Sequence, residues 1–268
     1  MIILWGSSNA GKKTFIANLH VKCSKESSRW KMKASTEASQ RLIQTCTEFL
    51  FDKNMFPNVC DENDDIKYFF EIIYNPYPPT QIKQKKIQLI YLDPNGTFFE
   101  NPDKERLYDN FITDSIKKSF GMILFIDPAR QECEENKTSY YKLFSNHISN
   151  QIKHVSQGST SFNKILIPFA ICFNKMDLNK YKDYLKNPEK FAMTIMGEDT
   201  CSLIERKINK YKYFTVSNVG YYQGDSNTYC DPFGYPKLLQ CPEPINIFKP
   251  IEWITKQSTK IKMEKNSK

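Results

Sequence analysis

The sequence predicts an α/β fold in which a mostly parallel sheet is covered by helices on both faces. Three observations predict it. Short apolar runs alternate with segments of helical spacing along nearly the whole chain. Several of those runs are apolar throughout, as strands buried on both faces require. The polar motifs that stand out fall at the carboxyl ends of such runs, where open sheets of this kind bind ligands. With 268 residues and a 40% apolar fraction, the chain can fill the core of one large domain. Neither an internal repeat nor a long linker divides it. Residues 1–255 are expected to form a single domain, and 256–268, KQSTKIKMEKNSK, a basic and flexible tail.

The first apolar run, Ile2 to Trp5, stops at Gly6 and enters a small polar turn. After Gly11 and Lys12, the spacing of Phe15, Ile16 and Leu19 predicts a helix. Residues 24–33 are polar and loop-like, with Trp30 expected at the surface. From 34 to 51 the spacing of Ala38, Leu42, Ile43, Cys46, Phe49 and Leu50 is helical, and Phe56-Pro57 closes that helix. An acidic turn over 61–65 precedes strands over 66–74 and 86–92, joined by a proline-rich connection at 75–80. A helix over 106–120, an apolar strand over 121–127 and a helix over 137–155 follow. The run 162–173 is read as one long strand, 180–210 as mostly helical and 211–216 as a strand. A loop bearing Tyr, Gly and Cys then leads to Pro242-Glu243-Pro244. A last amphipathic helix carries Ile251, Trp253 and Ile254.

Composition narrows the function. The net charge of +8 permits an acidic partner, but part of it lies in the terminal tail. No module interleaves aromatic and basic residues, so nucleic acid is not the expected partner. The eight cysteines are scattered without a CxxC pair, and there are three histidines, which argues against structural zinc. No leader and no apolar run of membrane-spanning length is visible. A reduced, cytoplasmic protein is the simplest expectation.

Gly6 and Gly11-Lys12 are spaced as in a phosphate-binding loop: glycine, four residues, glycine, lysine. Glycine lets backbone N–H groups approach a phosphate, and the helix N-terminus and Lys12 add positive charge. The motif's final Ser or Thr, a magnesium ligand, is replaced by Lys13, with Thr14 next to it. The alternative is a glycine turn that binds nothing. Asp93 ends a strand and Gly96 follows at D-x-x-G spacing, suited to magnesium through water and to a terminal phosphate. A plain Asp-Pro-Asn-Gly turn satisfies the same pattern. Asn174, Lys175 and Asp177 form N-K-x-D at another strand end. One carboxylate there can accept both N1–H and the exocyclic amine of guanine, whereas adenine would leave it unpaired. Asn174 can brace the phosphate loop, and the stem of Lys175 can lie along the base. Ser217-Asn218-Val219 ends the next strand, where a backbone N–H can reach the guanine oxygen. A solvated strand-end turn is the competing reading of N-K-x-D.

Taken together, GSSNAGKKT, DPNG, NKMD and SNV, in that order, resemble a TRAFAC-class, Ras-like P-loop GTPase domain. Trp30, Phe56-Pro57, GMILFIDP and PEPINIFKPIEW make the chain most similar to the double-GTPase domains of bacterial conflict and defence systems. The resemblance implies a three-layer P-loop NTPase fold that binds GTP or GDP. It implies nucleotide contacts from Gly6, Ser7, Ser8, Asn9, Ala10, Gly11, Lys12, Lys13 and Thr14, and from Asn174, Lys175, Asp177, Ser217 and Asn218. It implies catalytic roles for Lys12, Asp93 and Gly96, and weak or absent Mg2+ at Asp93 and Thr14. The function so implied is a guanine-nucleotide switch with weak or partner-dependent GTP hydrolysis. Its partner would be a protein effector, a second GTPase-like subunit being one form, in a defence-type system.

Two departures temper catalysis. Lys13 replaces the magnesium-binding hydroxyl, and the first-switch threonine is missing after Phe56-Pro57, leaving Thr36, Thr80 or nothing in that role. Phosphoryl transfer depends on metal and positioning, so these losses should hurt turnover more than binding. A catalytically silent pseudo-GTPase serving as a structural or regulatory subunit is the alternative. A P-loop kinase or ATPase is disfavoured by NKMD and by the lack of a substrate lid.

Overall fold

Strand β1 (Ile2–Gly6) is buried at every position because it lies in the middle of the sheet. Its period-two alternation feeds two cores. Ile2 and Leu4 join one apolar cluster, Ile3 and Trp5 the other. The structure, a computed structural model, describes residues 1–6, 9–25, 28–57, 66–75, 85–93, 115, 117–129 and 164–266. Among them the remaining strands of the main sheet are β2 (Trp30–Ala34), β3 (Ile66–Tyr74), β4 (Lys85–Asp93), β5 (Gly121–Ile126), β6 (Phe169–Phe173) and β7 (Tyr211–Thr215). Their spatial order is β2-β3-β4-β1-β5-β6-β7. Strand β3 is antiparallel to both neighbours, and β4, β1, β5, β6 and β7 are parallel.

Helices cover both faces. Helix α1 (Lys12–Ser24) buries Phe15, Ile16 and Leu19 against Ile2, Leu4 and Phe125. Each such side chain contributes about 1.5–3 kcal/mol on burial. Helix α2 (Glu37–Thr47) and the C-terminal α4 (Lys249–Asn266) lie on the same side, through Ile43, Ile251 and Ile254. The opposite face is covered by α3 (Pro188–Lys207), through Phe191, Ala192, Ile195 and Ile204. A 3-10 turn over Asn179–Tyr184 precedes it. Helix α3 changes direction at Gly197, whose φ is +77°. This is the three-layer α/β architecture that the sequence predicts.

Several local expectations change. Trp30 is not at the surface: it opens edge strand β2 at 5% exposure. Its ring stacks on Tyr74 at 4.2 Å and on Phe248 at 5.4 Å. The alternation Trp30, Met32 inward and Lys31, Lys33 outward is a strand signal only five residues long, and its polar half masks it. The run 162–173 is not one strand. Pro168 lacks an N–H, so β6 begins at Phe169, and Ile165 makes only an isolated bridge to Ile208. Thr36 is the N-cap of α2, accepting from Ser39 N. Segment 256–266, expected as a flexible tail, continues α4 as helix. The loop before Pro242 contains two small hairpins, β8 (Tyr221–Tyr222) with β9 (Asp225–Ser226) and β10 (Thr228–Cys230) with β11 (Pro236–Leu238). The expected features at 58–65, 76–80, 106–114 and 137–155 lie outside the described residues.

Candidate functional site

The loop between β1 and α1 is held by close packing. Gly6 lets the chain pass Phe125: a Cβ there would sit 2.3 Å from the Phe125 carbonyl oxygen. Gly11 has φ +84°, and its missing Cβ would fall 2.1 Å from Nδ2 of Asn174 and 2.9 Å from Nδ2 of Asn218. Those two amides close on the loop. Asn174 donates to the Ala10 carbonyl at 2.9 Å and Asn218 to the Gly11 carbonyl at 2.8 Å. Lys12 is 4% exposed and donates from Nζ to the Gly6 carbonyl at 2.8 Å, spanning the loop. Asn9 takes φ +58°. Ser7 and Ser8 lie outside the described residues.

Asn174 follows β6 and Asn218 follows β7, so the ends of adjacent parallel strands reach the same loop. Between them, Asp177 is 3% exposed and accepts from the Ser217 hydroxyl at 2.6 Å. Ser217 Oγ in turn accepts from Gly220 N at 2.8 Å and Val219 N at 3.3 Å. Burial pushes the Asp177 carboxyl above the usual carboxylate range, against the lowering effects of Ser217, the residue's own backbone N–H and Lys175. Oδ1 of Asn174 and Oδ1 of Asn218 are buried and have no hydrogen-bond partner among the described residues. Buried polar atoms left so are costly, and a polar ligand in the adjoining cleft is one way to satisfy them.

Lys175 is a residue of positive φ, +60°. Its ammonium lies 2.5 Å from Oδ2 of Asp127, which is buried at the end of β5. Oδ1 of Asp127 accepts from Ala129 N at 3.0 Å.

These loops meet at one cleft of about 580 Å³, a size suited to a nucleotide. Its walls include Asn9, Gly11, Lys12, Lys13, Thr14, Asn174, Lys175, Asp177 and Asn218. The structure therefore brings together, at the carboxyl end of the sheet, residues 164 and 207 positions apart in the chain. Lys12, Lys13 and Thr14, at the start of α1, all line the cleft. The Thr14 hydroxyl offers a divalent cation an oxygen, and the Lys13 ammonium offers none. The side chain of Asp93, Gly96 and Thr80 lie outside the described residues. Thr36 caps α2 and is not among the cleft walls.

No family model matches the chain, and no curated protein does. Among solved structures it is similar to the signal recognition particle receptor SRb-GTP/SRX complex from Chaetomium thermophilum. That match has 13% identity over 82% of this chain and 90% of the other, with a TM-score of 0.44. It is also similar to an ADP-ribosylation-factor-like GTP-binding protein, the small COPII coat GTPase of Encephalitozoon cuniculi, in complex with GDP. There the identity is 12%, the coverage 97% and 82%, and the TM-score 0.38. A third is the C. thermophilum SRb-GDP-Mg structure, at 13% identity, 82% and 89% coverage, and a TM-score of 0.31.

Sequence reasoning overlooked one wall of the cleft and the anchor of one of its lysines. The anchor, Asp127, which pairs with Lys175, has a visible signal as the acidic residue closing the apolar run GMILFID, but that run is read above as a strand and as part of the resemblance, with no role given to its aspartate. The hairpin residues Thr228, Tyr235 and Pro236 also line the cleft. Nothing in a span of mixed Tyr, Gly and Cys marks them out. No described helix is long and apolar enough to cross a membrane.

Proposed function

We propose that the chain is a guanine-nucleotide-binding switch protein whose GTP hydrolysis is weak or depends on a partner. The observation that carries this reading is Asp177, a nearly buried carboxylate held by Ser217 beside the cleft that Lys12 and Gly11 also line. A buried carboxylate with a fixed hydroxyl behind it suits a ligand edge bearing two donors, which guanine has and adenine lacks. Lys12, the Gly6–Gly11 turn and the N-terminus of α1 would hold the phosphates. Asn174 and Asn218 would fix that turn against the base-reading loops. The reading that the partner belongs to a defence-type system rests on the sequence resemblance. A reducing, cytoplasmic setting is the reading that the scattered cysteines of the sequence, with no CxxC pair, support.

A second reading, a pseudo-GTPase that binds nucleotide and acts as a regulatory subunit, is favoured by Lys13. It lines the cleft at the position where the motif places the magnesium hydroxyl.

The test is displacement of a fluorescent GDP analogue by GTP, GDP and ATP. GTP and GDP should compete and ATP should not, and Lys12→Ala should lose binding while keeping the parent's circular dichroism spectrum. Equal displacement by ATP, or unchanged binding in Lys12→Ala, overturns the reading.

A further inference from the structure

Residues 221–241 sit between the loop that carries Ser217 and the start of α4, and they are rooted on that loop. Asn227 is fully buried. It donates to the Val219 carbonyl at 3.0 Å and the Gln240 carbonyl at 3.2 Å, and accepts from Gln240 N at 3.0 Å. The hairpin tip is equally built. Asp231 accepts from Phe233 N and Tyr235 N through Oδ1, and pairs with Lys237 through Oδ2 at 3.1 Å. Pro232 and Gly234 complete a turn closed by Gly234 N donating to the Asp231 carbonyl at 2.9 Å.

From this frame the β10–β11 hairpin does two things at once. Thr228, Tyr235 and Pro236 line the cleft, and the neighbouring backbone grips the segment that follows α2. Leu238 N donates to the Asn54 carbonyl at 2.8 Å, and Met55 stands opposite Lys237 in an antiparallel bridge. Leu238, at 3% exposure, packs in a small apolar cluster with Leu50 and Val219, joined by Phe51 and Phe56. Met55, Phe56 and Pro57 line the cleft too. The hairpin and the 53–57 segment are thus two walls of one site, tied by main-chain hydrogen bonds and a shared core.

We propose that the β10–β11 hairpin is a latch that retains the nucleotide: release requires parting Leu238 and Lys237 from Asn54 and Met55. The inference rests on the nucleotide reading above and adds a binding wall and an exchange barrier to it. Retention of this kind acts on the dissociation rate, because a rim that must open before the ligand leaves raises the exit barrier.

The test locks the latch. Residues opposite each other in an antiparallel bridge have Cα atoms about 4.5–5.5 Å apart, within the roughly 4.4–6.8 Å that a disulfide spans. Met55→Cys with Lys237→Cys, in a background with Cys60, Cys133, Cys230 and Cys241 replaced by Ser, should oxidise, with the bond confirmed by mass spectrometry. Release of methylanthraniloyl-GDP, chased with excess GDP, should be about tenfold slower in the oxidised than in the reduced protein. Leu238→Ala should move the same rate in the opposite direction. Failure of the cysteine pair to oxidise overturns the proposal, as do equal release rates in the two redox states. If the unaltered protein binds no methylanthraniloyl-GDP, the nucleotide reading falls and the latch with it; binding with an unresponsive release rate removes the latch alone.

Discussion

Nζ of Lys175 lies 2.5 Å from Oδ2 of Asp127, an ion pair that joins the ends of β5 and β6 at the rim of the cleft. The carboxylate is buried, but the lysine side chain is 36% exposed and can rehydrate if its partner is lost. The pair therefore acts more on where the lysine sits than on stability. Asp127→Ala should weaken GDP binding about tenfold, or about 1.4 kcal/mol, while lowering stability by about 1–2 kcal/mol, chiefly through the lost hydrogen bond from Ala129 N. Asp127→Asn keeps an acceptor for Ala129 N and should fall between the two. Titration of a fluorescent GDP analogue, with parallel chemical denaturation, checks this. Unchanged affinity in Asp127→Ala would show that the lysine needs no aiming.

On the proposed guanine-nucleotide reading, Asp177 links nucleotide choice to pH. Its carboxyl is raised, burial being the main cause, so the folded apoprotein binds a proton where the unfolded chain has already released it. The sign follows from proton counting. Between the unfolded and the raised folded value the native state holds more protons, so stability falls as pH rises through that window. Guanine recognition needs the ionised carboxylate and runs the other way, strengthening as pH rises. Asp177→Asn should remove the carboxyl's contribution to both trends and shift preference from guanine towards xanthine, whose edge pattern is inverted. Denaturation midpoints and nucleotide titrations from the acid side to neutrality, on parent and Asp177→Asn, decide it. Parallel profiles in the two proteins would sink the prediction.

How far such residues could be read without coordinates depends on whether their role is local. That Gly6, Gly11 and Lys12 share one turn is legible because the pattern has a fixed spacing, and that Asp177 lies at a strand end is legible because its motif closes an apolar run. The pattern D-x-x-G is less telling. Asp231-Pro232-Phe233-Gly234 has the same form as Asp93-Pro94-Asn95-Gly96, and in the structure it is a hairpin turn capped by its own aspartate. Trp30 looks exposed in the sequence because its burial is supplied by Tyr74 and Phe248, partners 44 and 218 positions away. The tie between Asn54 and Leu238 is main-chain to main-chain, and no side chain announces it.

Gly11 should tolerate no side chain. Its φ of +84° costs an L-residue about 1–2 kcal/mol. A Cβ would also displace the Asn174 and Asn218 amides, each hydrogen bond being worth about 1 kcal/mol. Gly11→Ala should destabilise the protein by at least about 2 kcal/mol and lose nucleotide binding. Gly197→Ala is the contrast. That position also has positive φ, but a Cβ there meets nothing within 4 Å. It should lower the melting temperature and leave affinity intact. Equal nucleotide affinity in Gly11→Ala and the parent would mean that the two amides do not shape the phosphate turn.

Lys13 sets the terms on which a metal can take part. It and Thr14 lie in the first turn of α1 and both line the cleft, so a lysine occupies the position where the loop pattern calls for a hydroxyl. An ammonium has donors and no acceptor, and it repels a divalent cation at close range. Two arrangements satisfy that constraint. The ammonium meets the phosphate oxygens in place of magnesium, or it turns aside and leaves the metal a weak site through water. Either way, GDP and GTP affinity in the parent should change little on adding EDTA, and unaided turnover should be slow, since metal and positioning dominate phosphoryl transfer. Lys13→Thr restores the hydroxyl, and its affinity should then fall when magnesium is chelated. Its hydrolysis rate should rise less than its metal dependence, because no threonine follows Phe56-Pro57 in the adjacent sequence. The assay is nucleotide titration with and without EDTA on both proteins, together with phosphate release. Strong magnesium dependence and brisk unaided hydrolysis in the parent would show that another group has taken over the metal, and the pseudo-GTPase reading would be dropped.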